Sequence, residues 1–154
     1  MLMAAGLGTR LKPFTDILPK PMLPLMGVPM AQYAFDAMER AGVGRVVANV
    51  HLQGERMKGL LASLERGSME LSVSDESALL LGSGGGIRQA LPLLGKEPFY
   101  LMNADTLCDI NLAALMDRHL ELRKRHGTTL TLAVFRQAPG AGNYTEIRLD
   151  ASGE

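Results

Sequence analysis

Met1-Leu2-Met3-Ala4-Ala5-Gly6-Leu7-Gly8-Thr9-Arg10 opens the chain, and Pro19-Lys20-Pro21 follows shortly after it. The first five residues are apolar and predict a short buried strand, and the glycines behind them predict a tight turn. Glycine lets a backbone approach phosphate oxygens without a Cβ in the way, and its N–H groups can form an anion-binding nest. Two glycines in a turn are also common at a plain strand exit. Because Arg10 and Lys20 add positive charge close by, the stretch favours a polyphosphate site.

Two familiar phosphate-binding motifs are excluded by inspection. The chain has no G-x-x-x-x-G-K-[ST] sequence, which excludes a Walker-type loop. The third glycine of G-x-G-x-x-G is replaced by Leu11. A dinucleotide site also needs an acidic residue at the end of the second strand, where this chain has Asn49-Val50-His51. A nicotinamide or flavin dehydrogenase is therefore disfavoured.

Apolar runs predict buried strands, and amphipathic segments between them predict helices. The strands are expected at Met1–Ala5, Arg45–Val50, Met69–Ser74, Pro98–Asn103 and Thr129–Phe135, with a polar-alternating run near Thr145–Leu149. Helical spacing joins Met30, Ala34, Met38 and Ala41; Met57, Leu60, Leu61 and Leu64; Ile87, Ala90, Leu91 and Leu94; and Leu112, Leu115, Met116 and His119. This alternation predicts an α/β fold with a mostly parallel sheet between two helical layers.

Composition narrows the class of protein. The 154 residues are 47% hydrophobic and 21% charged, which is ordinary for one globular domain, residues 1–154. Lys and Arg number 16, as do Asp and Glu, so the zero net charge argues against nucleic acid or an anionic membrane as a partner. A lone Cys108 and the lack of a signal-peptide pattern make the cytoplasm the expected location.

The opening residues resemble the signature of the sugar-1-phosphate nucleotidylyltransferases, L-A-A-G-x-G-T-R-L-x-P followed by P-K-P. Here the signature is Met3–Pro13 and Pro19–Pro21. The resemblance implies a Rossmann-like three-layer nucleotidyltransferase domain that joins an NTP to a sugar 1-phosphate and releases pyrophosphate. The family domain extends well past residue 154, so the sequence is expected to hold its N-terminal, nucleotide-binding part. The remaining sugar-binding residues and a second metal ligand are expected further along.

Asn103-Ala104-Asp105 follows an apolar run and places a carboxylate at the C-terminal end of a predicted strand. Ligands of open α/β sheets bind at that edge, although an Asp there is as often a cap or turn residue. The family resemblance implies that Asp105 holds Mg²⁺. Mg²⁺ takes one or two carboxylates and completes its shell with water and phosphates, so a single visible ligand is compatible with that role.

Leu81-Gly82-Ser83-Gly84-Gly85-Gly86-Ile87 precedes a predicted helix. It is either a flexible hinge or a place where a flat ligand approaches bare backbone. The family packs its nucleobase and ribose against this segment, with an acidic or Gln-containing segment upstream that resembles Asp75-Glu76; a solvated charge pair is an equal alternative. A triple Gly before Ile resembles N-acetylmuramate 1-phosphate uridylyltransferases more than mannose-1-phosphate guanylyltransferases, so UTP is expected ahead of GTP.

The resemblance assigns catalytic roles to Arg10 and Lys20 on the β and γ phosphates and to Asp105 on the metal. The residues expected at the nucleotide are Ala4, Ala5, Gly6, Gly8, Thr9, Arg10, Lys20, Glu76, Gly82, Gly84, Gly85 and Asn103. One alternative is a noncatalytic relative that senses a nucleotide sugar, against which retention of Arg10, Lys20 and Asp105 argues. Another is an enzyme with a different acceptor, such as a phosphocholine cytidylyltransferase.

Overall fold

A computed structural model of the chain describes residues 1–64, 67–134 and 147. Its strands are β1 (Leu2–Met3), β2 (Pro24–Leu25), β3 (Val28–Pro29), β4 (Arg45–Val50), β5 (Glu70–Asp75) and β6 (Met102–Asn103). Its α-helices are α1 (Phe14–Ile17), α2 (Met30–Arg40), α3 (Gly54–Ala62), α4 (Gly82–Leu94) and α5 (Leu112–His126), with 3-10 turns at Thr9–Leu11 and Lys20–Met22. Among the described residues no helix is both long and apolar enough to cross a bilayer.

Four of the strands form a parallel sheet in the order β5-β4-β1-β6, and β2 and β3 form a separate antiparallel pair. The centre of the parallel sheet includes β4, in which Val46–Val50 are all buried. Strands covered on both faces show such continuous apolar runs, which is why this segment was predictable without any alternation. The predicted α/β class with a parallel sheet is confirmed.

The side chains of β1 and β4 alternate between two apolar cores. Leu2, Val46 and Ala48 pack with Phe35 and Met38 of α2 and with Met57 and Leu61 of α3. Met1, Met3 and Val47 pack with Ile87, Ala90 and Leu94 of α4 on the other side. Since successive side chains of a strand point to opposite faces, this alternation places helices on both faces of the sheet.

Three predicted strands are shorter in the described structure or absent from its sheets. The run Met1–Ala5 contributes only Leu2–Met3 to the parallel sheet. The run Pro98–Asn103 contributes only Met102–Asn103 to the sheet. The described part of the run Thr129–Phe135, residues 129–134, lies outside any strand, and Leu130 and Leu132 are 68% and 58% exposed. A β-favouring pattern needs a neighbour to pair with and a core to cover it, and neither meets this segment in the described structure. The run near Thr145–Leu149 falls outside the described residues except for Ile147.

Candidate functional site

The carboxyl ends of the parallel strands meet at one edge of the sheet. The register pairs Met3 of β1 with Asn49 of β4 and with Asn103 of β6, and it pairs Asn49 with Ser74 of β5. The Ala104 amide donates to the Met3 carbonyl over 3.0 Å, which continues the pairing past β6. The turn after β1 therefore lies beside Asn103–Asp105, as expected of ligand sites in open α/β sheets.

Gly8 fixes the shape of the turn after β1. Its φ of +63° lies in the left-handed region, and a Cβ at this position would lie 2.8 Å from Thr15 Cγ2 and 3.1 Å from Lys20 Cβ. The Thr15 hydroxyl and the Leu11 amide both donate to the Gly8 carbonyl, at 3.1 and 2.9 Å. Only glycine meets these demands without strain, so the turn holds the 3-10 segment that bears Thr9 and exposed Arg10.

Lys20 and Asp105 form an ion pair across this edge. Lys20 begins the 3-10 turn Lys20–Met22, and Asp105 follows β6. Their side chains are 27% and 29% exposed, so both remain accessible to a solute. The structure thus brings together two of the three predicted catalytic residues, from segments far apart in sequence. Arg10, the third, lies on the exposed 3-10 segment of the turn after β1.

A small cleft opens between this turn and the β4–α3 connection. It is lined by the backbone-rich segment Ala4–Leu7 and by Lys20 on one side, and by Leu52, Gln53 and Met57 on the other. A Cβ added at Gly6 would meet no atom within 4 Å, so this part of the backbone is open. A larger cavity of about 390 Å³ lies elsewhere, between Tyr33 and Arg40 of α2 and residues 106–109. Its lining includes none of the predicted catalytic residues.

The glycine-rich segment is helical rather than a loop before a helix. The first residue of α4 is Gly82, at φ +68°, so Gly84, Gly85 and Gly86 all lie inside the helix. Each helical glycine costs up to about 1 kcal/mol relative to Ala, a local preference that the packing of the rest of α4 on the sheet overrides. The surroundings of the glycines differ. A Cβ added at Gly84 would face open space, whereas one at Gly85 would lie 2.8 Å from Leu81 Cβ.

Gly86 faces the protein interior. A Cβ there would lie 2.8 Å from Asn49 Nδ2 and would also collide with the Glu76 carboxylate. Of the triple glycine, therefore, only Gly84 has open space where a Cβ would lie, as Gly82 also has. Gly85 is half-buried and Gly86 is buried. The sequence could not predict that Gly84, Gly85 and Gly86 have different surroundings, because all three positions are glycine.

Glu76 is buried, with 2% of its surface exposed, and both carboxylate oxygens are occupied by protein donors. The Asn49 side-chain amide donates to one oxygen over 2.8 Å, and the Leu81 backbone amide donates to the other over 3.2 Å. Asn49 is itself buried and accepts the Ala4 amide over 2.8 Å. Sequence reasoning missed Asn49 as a site residue. The available signal was an amide side chain near the end of the otherwise apolar run Val46–Val50.

Asp75, the neighbour of Glu76, behaves as a surface residue. It pairs with Lys58 over 2.9 Å, and Lys58 also contacts Glu55. Hydrogen bonds from Ser77 and then from Lys58 hold the pKa of the Asp75 carboxyl well below its usual range. The expected charge pair Asp75-Glu76 is therefore split: Asp75 is solvated and Glu76 is enclosed.

The Asp105 carboxylate suits a metal ion that takes one ligand from the protein and most of its ligands from substrate and water. Among the described residues no group of three or more His, Cys, Asp and Glu side chains could enclose a metal ion. Asp105 instead offers one partly exposed carboxylate at the sheet edge. That is the arrangement Mg²⁺ uses when substrate phosphates and water supply its remaining oxygens, so the residues fit.

Comparison with known proteins shows the family of the chain. A family model described as Nucleotidyl transferase matches residues 1–151. The chain is 38% identical to an N-acetylmuramate alpha-1-phosphate uridylyltransferase of Neisseria meningitidis serogroup B over 74% of this chain and 49% of that protein. It is 34% identical to a mannose-1-phosphate guanyltransferase of Hypocrea jecorina over 87% of this chain and 36% of that protein.

A solved structure resembles the fold. HddC from Yersinia pseudotuberculosis, complexed with GMP-PN, superposes with a TM-score of 0.68 at 26% identity, over 78% of this chain and 53% of that one. The chain thus spans about half the length, or less, of these relatives.

Proposed function

The chain belongs to the nucleotidyl transferase family, and from that premise we propose that the full-length protein joins an NTP to a sugar 1-phosphate and releases pyrophosphate. One observation carries the proposal: Lys20 and Asp105 meet beside the glycine turn after β1. A cation and a metal-type carboxylate next to an open backbone turn suit a triphosphate better than a neutral ligand. Retention of Arg10, Lys20 and Asp105 also argues against a sensor that binds without catalysis.

In the proposed reaction an oxygen of the sugar 1-phosphate attacks the α-phosphorus in line, and the bond to the β-phosphate oxygen breaks. No covalent nucleophile is needed, because positioning and charge stabilisation carry such transfers. Arg10 and Lys20 balance the negative charge that collects on the leaving pyrophosphate. Asp105 holds Mg²⁺, which supplies charge neutralisation at the substrate phosphates when it is bound.

The nucleoside part meets mainly backbone. Ala4, Ala5 and Gly6 line the cleft after β1, and Gly82 and Gly84 leave the start of α4 uncovered. Bare backbone permits close approach of a planar base and offers N–H donors at a helix N-terminus. Thr9, in the 3-10 segment of the turn after β1, and Asn103, at the end of β6, complete the proposed nucleotide contacts.

We favour N-acetylmuramate 1-phosphate and UTP as substrates, because the relative named for that activity shares 38% identity. The alternative is mannose 1-phosphate with GTP, because a relative named for that activity shares 34% identity over 87% of the chain. The two candidate activities belong to the same reaction class, and the residues that bind the sugar determine which sugar 1-phosphate is the substrate.

A substrate panel tests the proposal. The full-length protein is mixed with UTP, GTP or CTP and with N-acetylmuramate 1-phosphate or mannose 1-phosphate, and pyrophosphate release is followed with Mg²⁺ present. Release that requires both an NTP and a sugar phosphate is the expected result. Release from the NTP alone, or none from any pair by folded protein, contradicts the assignment.

A further inference from the structure

Glu76 is a buried ionisable group, and none of the ion pairs among the described residues involves it. Its 2% exposed side chain is held by two neutral donors, the Asn49 amide and the Leu81 backbone N–H. Lys58 forms an ion pair with the adjacent residue, Asp75, and not with Glu76. Burying a carboxylate in this way is costly and needs every hydrogen bond to be made. A group that only filled space here would be better replaced by an apolar side chain.

The hydrogen bonds of Glu76 form a chain between two backbone segments. The Ala4 amide donates to Asn49 Oδ1, the Asn49 amide donates to Glu76 Oε1, and the Leu81 amide donates to Glu76 Oε2. Ala4 opens the turn after β1, and Leu81 is the residue before α4. These are the segments whose backbone the proposed function uses for the nucleoside.

The helix approaches this chain of bonds closely. A Cβ at Gly86 would lie 2.8 Å from Asn49 Nδ2, so α4 can sit this near the pair only because residue 86 is glycine. The Glu76 backbone adds to the anchoring, since its N–H donates to the Val50 carbonyl over 2.7 Å and its carbonyl lies 2.6 Å from His51 Nδ1. Hydrogen bonds of Glu76 and Asn49 thus connect the C-terminal ends of β1, β4 and β5 to the residue before α4.

We propose that Asn49 and Glu76 form a positioning pair that holds the Ala4 and Leu81 backbones at the spacing a nucleobase requires. Neither side chain touches the nucleotide, and base selection falls to the backbone that they hold. This inference rests on the proposed function. It also replaces the expectation, drawn from the family resemblance, that Glu76 contacts the nucleotide directly.

Exchanging the two functional groups tests the pair. In Glu76→Gln, the new amide nitrogen meets a donor on one side, either the Asn49 amide or the Leu81 N–H. In Asn49→Asp, two carboxylates face each other inside the protein. In the double variant, the carboxylate now at position 49 accepts from the Ala4 N–H and from the new amide at position 76. The oxygen of that amide accepts from the Leu81 N–H, so the same three hydrogen bonds return with the charge moved to the partner position.

Calorimetry with UTP, GTP and inorganic pyrophosphate on the full-length variants gives the readout. Each single variant is expected to weaken UTP or GTP binding about tenfold or more, since a buried polar group is left without its hydrogen bond. Pyrophosphate affinity, which reports Arg10 and Lys20, stays within about threefold of wild type, and the double variant recovers nucleotide affinity. Asp75→Asn, which neutralises the exposed neighbouring carboxylate, is the matched control and leaves nucleotide affinity unchanged.

Several outcomes overturn the inference. Folded single variants with unchanged nucleotide affinity do so, as does equal loss of pyrophosphate affinity. If the single variants fail to fold, the double variant decides: folding with restored nucleotide affinity supports the pair, and failure to fold or persistent weak binding overturns it. If wild type binds no NTP, the proposed function fails. Hydrogen exchange at the Ala4 and Leu81 amides then still tests the pair, because slow exchange that is lost in Glu76→Gln reports it without ligand.

Discussion

Lys20 is the cation with the clearest geometric link to the proposed chemistry, since it contacts Asp105. We expect Lys20→Ala to lower kcat about 10²-fold or more, because removing one preorganised charge from a developing anion costs about 2.7–4 kcal/mol. Pyrophosphate release by the full-length protein measures this. Lys12→Ala is the matched control, since Lys12 forms an exposed surface pair with Asp16. A Lys20 variant within about threefold of wild type would remove the triphosphate assignment.

Asp105 supplies the proposed metal ligand, and its partly exposed side chain lies at the sheet edge. We expect Asp105→Asn to abolish the dependence of activity on Mg²⁺ concentration while the protein stays folded, because the amide keeps the shape of the carboxylate without its charge. A Mg²⁺ titration of pyrophosphate release, with circular dichroism to confirm folding, measures both. Asp16→Asn changes an exposed carboxylate elsewhere and serves as control. An unchanged titration would exclude Asp105 as the ligand.

The sequence placed Lys20 and Asp105 at one site because each follows a recognisable local pattern and the carboxyl ends of parallel strands share an edge. It did not identify the Asn49–Glu76 pair. The hydrogen bond between Asn49 in β4 and Glu76 after β5 depends on the register of the two strands and on burial. The local sequence around Asn49 predicts neither of these. From the sequence, Glu76 was therefore expected either to contact the nucleotide or to belong to a solvated charge pair, and its burial against Asn49 was not predicted.

Elements were predictable where burial on both faces produced a continuous apolar run. β4 was predicted at Arg45–Val50, which are its observed bounds. β5 is a weaker case, because most of its residues are polar and only Ser74 is buried; the predicted bounds, Met69–Ser74, differ by one residue at each end. Residues 129–134 were predicted as a strand but form none, because their β-favouring side chains have no partner strand in the described structure. The start of α4 also differs from the prediction, since glycine propensity predicted a loop where packing against the sheet produces helix.

Substitutions at two helical glycines distinguish an effect on stability from an effect on nucleotide binding. Gly84 in α4 and Gly59 in α3 are both exposed and face open space, so Ala fits at either position. Each substitution is expected to stabilise its helix by up to about 1 kcal/mol, which raises Tm by about 2–4 °C for a domain of this size. Only Gly84→Ala should also weaken nucleotide binding, by about tenfold or 1.4 kcal/mol, because its methyl group enters the space proposed for the nucleoside.

Thermal unfolding and calorimetry with UTP and GTP on the same samples measure both effects. Gly59→Ala is the internal control for the helix-propensity gain. If Gly84→Ala raised Tm and left nucleotide affinity unchanged, the backbone at the start of α4 would lie outside the nucleotide site.

At the scale of the molecule, the groups proposed for the triphosphate and the nucleoside lie within the 154 residues. The relatives are longer than the matched region, which covers 49% and 36% of their lengths. Among the described strands, β6 pairs with β1 alone, and Leu130, Leu132 and Val134 expose more than half of their surfaces. An unpaired strand edge and exposed apolar side chains favour association.

Binding and turnover should therefore separate in the 154-residue chain. We expect it to bind UTP or GTP, because Lys20, Asp105 and the glycine turn are assembled within it. Turnover is expected to fall at least about 10²-fold below that of a full-length relative, since only interactions made in the transition state accelerate the reaction. Calorimetry beside a pyrophosphate-release assay, with light scattering to follow association, measures the separation. Lys20→Ala in the same chain should abolish the triphosphate contribution to binding. Robust turnover by the purified chain of this length would mean that the catalytic groups are all contained in these 154 residues.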